Sequence, residues 1–302
     1  MPGPFYYGGQ AVIEGILIRG RQSVCLAVRC TDGGIWTGQL SLSRIYNGRI
    51  RQIPLLRGVI ILIETLLLGF RALSRSAEIA MLPPEAQPSQ LLEAPRASQK
   101  ERAAMAVSMT VAMVLGVGIF FLLPLLGARS LDNFISSSLV SNLVEGVVRL
   151  IFLVGYIWAI GHLPDMRRVF AYHGAEHMTI HAHENNLPLD IKHIRQFPTA
   201  HPRCGTAFLL TVVLVSIIVF ALLGHPPFWI AVISRLALVP IIGGISYEII
   251  RLSGAHSRNP LARSLMLPGL LLQRLTTRQP DETQIEVAVA AMTQVLAADA
   301  NA

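Results

Sequence analysis

The chain has 302 residues, of which 52% are apolar and only 14% charged, and its mean hydropathy is +0.53. An average soluble domain carries about 25% charged residues, so this composition excludes a disordered chain and disfavours a soluble globular one. The net charge of +7 reflects scarce acids, 18 against 25 Lys and Arg, so its meaning depends on where the bases lie. Nucleic-acid binding concentrates them on one folded face, whereas a membrane protein sorts them by loop.

The first apolar run is broken by Glu14 and Arg19 and has no basic segment before it, so it is not read as a signal peptide and the chain is expected to start on the cytoplasmic side. Cys25, Cys30 and Cys204 are too few for a disulfide framework. Residues 8–50 read as β structure. The segment 24–30 is rich in β-formers, Thr31-Asp32-Gly33-Gly34 is a turn signal, and 35–40 returns. A small cytoplasmic β-subdomain is therefore expected over 1–54. Gly8-Gly9-Gln10-Ala11-Val12-Ile13-Glu14-Gly15 is Gly-rich but lacks both G-x-G-x-x-G and the P-loop Lys, so no nucleotide site is assigned. Glu14 with Arg19-Gly20-Arg21 reads as turn chemistry or as a site for an anionic headgroup.

In the apolar stretch 55–73, Arg57, Glu64 and Arg71 recur every seven residues and form one polar stripe on a helix. This predicts an interfacial or re-entrant helix over 55–80. A linker rich in Pro, Gln, Ser and Ala follows, over 81–102. Residues 103–128 carry no charge between Arg102 and Arg129, and exceed the roughly 20 residues that a spanning helix needs. A second span is expected over 143–163, where Glu145 and Arg149 stand i,i+4 with the acid first, the favourable order. The third, 205–224, is uncharged, and the fourth, 228–250, holds only Arg235 and Glu248. His225-Pro226-Pro227 makes the last two a tight hairpin. The intramembrane charges are expected to pair across spans, or else to line a polar pathway. The tail 251–302 contains an amphipathic helix from Asp281, with Pro280 before it and an apolar stripe of Ile285, Val289, Met292 and Val295/Leu296.

With four spans, 22 of the 25 Lys and Arg fall in segments 1–102, 164–204 and 251–302, and the two loops between them hold only Arg129. This is the positive-inside pattern, with both termini cytoplasmic. A span at 55–73 would move six arginines of residues 1–54 outside, against that rule. The predicted class is a mainly α membrane protein: a four-span helical bundle with a small cytoplasmic N-terminal β-subdomain, an interfacial helix and a C-terminal amphipathic helix.

Five of the nine histidines fall within 21 residues of the cytoplasmic 164–204 segment. His173-Gly174-Ala175-Glu176-His177 has the H-x-x-E-H order of the inverted zincins. Two imidazoles one helical turn apart reach one metal, and the intervening Glu lies beside it, where a general base is needed. Glu184, eleven residues after His173, returns to the same face as a third ligand. Alternatively, His201 and Cys204, spaced H-x-x-C, complete a closed tetrahedral zinc site with His173 and His177. A closed site is structural and an open one catalytic. Without metal, these are solvated histidines on a polar helix. His162, His181, His183, His193, His225 and His256 are read as surface or interface residues.

Several dispersed motifs resemble the YqhQ-like family of bacterial multi-pass membrane proteins. They are the Gly8–Gly15 string with Arg19-Gly20, Tyr172-His173-Gly174-Ala175-Glu176-His177, His201-Pro202-Arg203-Cys204-Gly205-Thr206, Ser246-Tyr247-Glu248, and Pro268-Gly269 with Leu275-Thr276-Thr277-Arg278. The resemblance spans roughly residues 5–298. It implies a predicted metal-dependent enzyme of no settled substrate, with motif positions at His173, Glu176, His177, His201, Cys204, Glu14, Tyr247 and Glu248. This chain adds His181 and His183, and has Met178 where relatives are expected to carry Lys. The leading expectation is a zinc-dependent hydrolase, or one using another divalent cation, in the bacterial inner membrane. It acts at the cytoplasmic surface on a lipid or membrane-bound peptide, with Glu176 as base. The alternatives are a membrane scaffold or assembly factor with a structural metal, or a transporter. Expected partners are membrane lipids and a membrane protein or second copy, with no nucleic acid.

Overall fold

A computed structural model describes residues 6–40, 53–82, 99–131, 134–135, 137–256 and 259–301. Residues 41–50 of the predicted β segment and most of the predicted linker lie outside these residues.

The N-terminal segment forms an antiparallel meander of four strands: β1 (Gly8–Val12), β2 (Gly15–Arg19), β3 (Val24–Arg29) and β4 (Ile35–Gln39), in the order β1-β2-β3-β4. The β1–β2 turn is tight. Val12 pairs with Gly15, and Glu14 takes a left-handed φ of 51° between them. Gly15 is required there, because a Cβ would stand 2.4 Å from the Ala27 carbonyl oxygen. The central strands read as continuous apolar runs, not alternating ones, because both sheet faces are covered. Ile16, Ile18, Cys25 and Ala27 pack on one side, and Leu17, Val24, Leu26 and Val28 on the other.

Helix α1 (Leu56–Ala80) covers the second face through Leu68, Ala72 and Ile79. Its polar stripe turns toward protein: Arg57 pairs with Glu248, and Glu64 accepts from Arg19 Nε at 3.2 Å. Ile63, Leu66, Leu67 and Leu73 are exposed instead. The first face is covered by α5 (Pro164–Glu184) and α11 (Glu282–Ala300). The expected capping of α11 is present: Gln284 N donates to Asp281 Oδ1, and Asp281 N to Gln284 Oε1. Its buried surface is broader than the predicted stripe and includes Val287, Ala288 and Ala291.

At the other end of α11, Asp299 accepts from the backbone N–H groups of Arg21, Gln22 and Ser23, and from the Ser23 hydroxyl at 2.7 Å. Partial burial pushes this carboxyl up, but those donors outweigh it and leave it below the ordinary Asp range. The folded pKa is thus depressed. The stabilisation is complete above the unfolded value of about 3.9 and is lost as pH falls through the lower folded one. Asp299→Ala is expected to cost about 2 kcal/mol, the cost of removing one partner of charge-assisted hydrogen bonds, and to flatten the acid limb of a stability–pH curve. An unchanged acid limb refutes this role.

The remaining helices form a bundle. Among the described residues, three are long and apolar enough to cross a membrane: 110–130, Ser138–Ile160 (α4) and Gly205–Leu222 (α7). The first is built from the end of α2 (Gln99–Val117), a π-helical turn (Gly118–Leu122) and α3 (Leu123–Ser130). The expected fourth span is two helices, α8 (Phe228–Ala237) and α9 (Val239–Ala255), bent by 45° and counted as one span only if taken together. Pro240 at the start of α9 lacks the N–H that would continue α8. Expected as part of the tail, α10 (Pro260–Thr276) instead packs on the bundle, with Leu272 against Leu153, Ile157 and Leu210.

Three buried groups tie the bundle together. Glu145 on α4 accepts from Arg149 Nη2 at 2.5 Å and from Arg235 Nη2 on α8 at 2.6 Å. Arg149 also donates to Ser216 Oγ on α7 at 2.9 Å and, through Nε, to the Phe120 carbonyl at 3.0 Å. Phe120 lies in the π turn, where the looser ladder leaves a carbonyl for a side chain. The expected pairing between spans is therefore observed at Glu145, Arg149 and Arg235, whereas Glu64 pairs with Arg19 of the sheet and Glu248 with Arg57 of α1.

Candidate metal centre

Helix α5 begins with Pro164 at its first turn and runs unbroken through the histidine cluster. It is held from three sides. Glu14, at the β1–β2 turn, accepts from Arg168 through both carboxylate oxygens and from the Tyr172 hydroxyl at 3.2 Å. The Arg168 hydrogen bonds outweigh partial burial and keep the Glu14 carboxyl below its ordinary range. Gly174 packs so closely on the segment after α10 that a Cβ would stand 2.2 Å from the Arg278 carbonyl oxygen. Asp190 caps the short α6 (Ile191–Ile194), and the chain then returns through residues 195–203 alongside α5 to the start of α7.

That return brings Cys204, the N-cap of α7, to His173. Their Nε2 and Sγ are 3.2 Å apart, close to the roughly 3.5 Å edge of a tetrahedron built from ordinary zinc–ligand bond lengths. Ligand atoms of His173, His177 and Cys204 all lie within 4.8 Å of one another. A carbonyl oxygen can only accept, so the tautomers of both rings are assigned by their partners. His173 Nδ1 donates to the Thr276 carbonyl at 2.9 Å, and His177 Nδ1 to the Thr199 carbonyl at 2.6 Å. Each Nε2 therefore carries a lone pair. A ligand histidine fixed through its other nitrogen is the usual outer arrangement of a metal site. The donor set fits a zinc ion. His177 is only 2% exposed and so is not a solvated histidine, whereas His173 is half-buried.

Glu176 is buried beside this group, its Oε2 3.8 Å from His177 Nε2, and it accepts the Gly9 N–H from β1. Burial pushes its carboxyl up to about 7, against the opposing effects of His173 and Gly9. Gly9 is needed for that approach: a Cβ would stand 2.6 Å from the Leu17 carbonyl oxygen and 2.9 Å from Glu176 Cγ. Gly9→Ala is expected to push β1 off Glu176 and to destabilise the protein by about 1–3 kcal/mol, as overpacking does. A thermal-unfolding midpoint equal to that of wild type counts against that role.

Glu184 and His201 form a separate group with His181, whose ligand atoms lie within 4.8 Å of one another. Same-face spacing brought Glu184 to the correct side of α5, but eleven residues rise about 16 Å along a helix, far beyond one ion's reach of His173. His201 Nδ1 accepts the Arg203 N–H at 3.3 Å, and its Nε2 donates to Glu184 Oε2 at 3.4 Å. Both its nitrogens are engaged, so His201 is not presented as a fourth donor to the Cys204 group. Its backbone is clamped reciprocally by Gln273, through bonds of 2.7 and 2.9 Å. Burial lowers the His201 pKa to about 4. For Glu184, His201 and Arg203 outweigh burial and lower the pKa to about 2. His181, read as a surface or interface residue, is half-buried; it donates from Nε2 to the Ala200 carbonyl at 3.0 Å, and burial lowers its pKa. Its i,i+4 spacing from His177 was the signal for it.

A cavity of about 320 Å³ adjoins this group and runs between the sheet, α1, α7 and α9. Its lining includes His173, Glu176, His177 and Cys204, the apolar Leu62, Phe208 and Ile250, and the polar Arg19, Glu64 and Thr65.

Residues 53–298 match the family described as protein of unknown function DUF1385. The chain belongs to that family. It is also 34% identical over 308 residues to the protein named uncharacterized protein YqhQ of Bacillus subtilis (strain 168), across 98% of this chain and 94% of that one. No solved structure matches. The dispersed motifs that carried the resemblance to the YqhQ-like family meet in space. The Gly-rich string reaches Glu176, Thr276 holds His173, and Gly269 packs on Ala207 in the first turn of α7. The DUF1385 match starts beyond the sheet, whereas the similarity to YqhQ extends through it.

Proposed function

We propose that this DUF1385 protein is a zinc-dependent hydrolase of the bacterial inner membrane, acting at the cytoplasmic surface on a lipid or membrane-bound peptide. The observation that carries the metal reading is the paired tautomers: Thr276 and Thr199 carbonyls hold two imidazoles with their Nε2 lone pairs beside the Cys204 sulfur. His173, His177 and Cys204 would hold the ion, which leaves one of four positions open, as in catalytic sites. A zinc ion supplies Lewis acidity that makes water a nucleophile near neutral pH. Glu176 accepts and returns the proton from beside the ligands, positioned by Gly9. His201 and Glu184 keep the return segment fixed and are not ligands in this reading.

The membrane placement rests on the apolar exposure of the bundle, where Ile151, Ile218 and Trp229 are each more than 60% exposed, and on the distribution of Lys and Arg. The exposed face of α1 (Ile63, Leu66, Leu67) suits a helix lying against the bilayer. The spans' charged groups are engaged with one another, which favours a role in fixing the bundle over a polar pathway. Metal analysis of the purified full-length protein tests the proposal. Wild type and His201→Ala are expected to retain about one zinc per chain, while Cys204→Ser, His173→Ala and His177→Ala lose it. Zinc lost from His201→Ala but kept by Cys204→Ser refutes the assignment.

A further inference from the structure

The cavity beside the candidate metal group has a mixed lining. His173, His177, Cys204 and Glu176 share it with the apolar Ile61, Leu62, Leu68, Phe208 and Ile250, and Gln10, Arg19, Glu64 and Thr65 add polar groups from β1, β2 and α1. These apolar side chains come from α1 and from the ends of α7 and α9 nearest α5, where Arg203 also packs on Gly254. The cavity therefore sits where the apolar bundle meets the histidine-bearing helix. From this geometry we infer that it holds part of one hydrocarbon chain of a membrane lipid, with the lipid's polar linkage at the histidine–cysteine group. The inference rests on the hydrolase reading for the role of that group, and chooses lipid over peptide as the substrate class.

Two physical points favour a lipid. A peptide lying along Leu62, Phe208 and Ile250 brings one N–H and one C=O per residue, which these hydrocarbon side chains cannot pair, whereas an acyl chain needs no partners. The volume of about 320 Å³ is at the small end of ligand pockets, so it suits a linkage and a stretch of one chain rather than two whole chains.

The test is photolabelling of full-length protein in vesicles of phosphatidylethanolamine and phosphatidylglycerol, using a phosphatidylglycerol whose acyl chain carries a diazirine. Labelled peptides are mapped, and zinc is measured in the same samples. Labelling at Leu62, Phe208 and Ile250 is expected to exceed that at Ile218, which is 63% exposed on the bundle surface. Leu62→Trp, which fills the cavity, is expected to lower labelling at Phe208 and Ile250 about tenfold, equivalent to about 1.4 kcal/mol of binding, with zinc content unchanged. Labelling at these positions no stronger than at Ile218 in the zinc-loaded wild type overturns the inference, and needs no variant to fold. Stronger labelling there by a diazirine-bearing apolar peptide than by the lipid also overturns it. Protein without zinc that still labels in the cavity refutes the metal reading and leaves the lipid site standing.

Discussion

Glu145→Gln is expected to destabilise the folded protein by about 3–5 kcal/mol, the range for breaking a buried ion pair from one side. Glu145, Arg149 and Arg235 are each 2% exposed, and the single carboxylate faces two guanidinium groups. Glutamine keeps the shape and one acceptor but removes the charge that balances them. Asn142, which accepts from Arg235 Nη2 at 3.3 Å, and Ser216 remain, and neither carries charge. A buried charge without its counter-ion costs far more than the intact group contributes, so replacing all three residues by Met is expected to recover most of the loss. Thermal unfolding in one detergent, with wild type, Glu145→Gln and the triple variant side by side, checks both expectations. A Glu145→Gln protein as stable as wild type shows that the network does not hold the bundle.

Glu176→Gln separates catalysis from architecture. Glutamine still offers an oxygen to the Gly9 N–H and fits the same space, so fold and zinc content are expected to match wild type. It cannot take a proton, and loss of a general base lowers turnover by about a hundredfold or more. A strain lacking the gene is therefore expected to be rescued by the wild-type chain but not by Glu176→Gln. Full rescue by a zinc-loaded Glu176→Gln protein excludes Glu176 as the base and favours a scaffold whose metal is structural.

Local rules read much of this molecule correctly. Apolar length gave the runs that form 110–130, α4 and α7, and Asp281 after Pro280 gave the start of α11. The β1–β4 meander was foreshadowed by β-formers around Thr31–Gly34, but its burial on both faces was not, because α1 and α11 come from distant parts of the chain. The stripe of Arg57, Glu64 and Arg71 was visible, yet helical periodicity cannot say whether a polar face meets water or a partner. Two of these charges meet Glu248 and Arg19. Pro268 and Gly269 hid α10, which tolerates its internal proline because it packs on the bundle. At the metal group, i,i+4 spacing correctly paired His173 with His177. Spacing fixes a face but not a height, which is why Glu184 fell to a different group. The carbonyls of Thr199 and Thr276, which set both tautomers, could not be read from the sequence, since every residue has a carbonyl.

The central claim is that His173, His177 and Cys204 hold one zinc ion with a position left open. X-ray absorption at the zinc edge of the purified full-length protein addresses it most directly. The account predicts a shell of two imidazole nitrogens, one sulfur and one further light atom that is not an imidazole. A third imidazole in the shell, no sulfur, or protein that binds no zinc would contradict it.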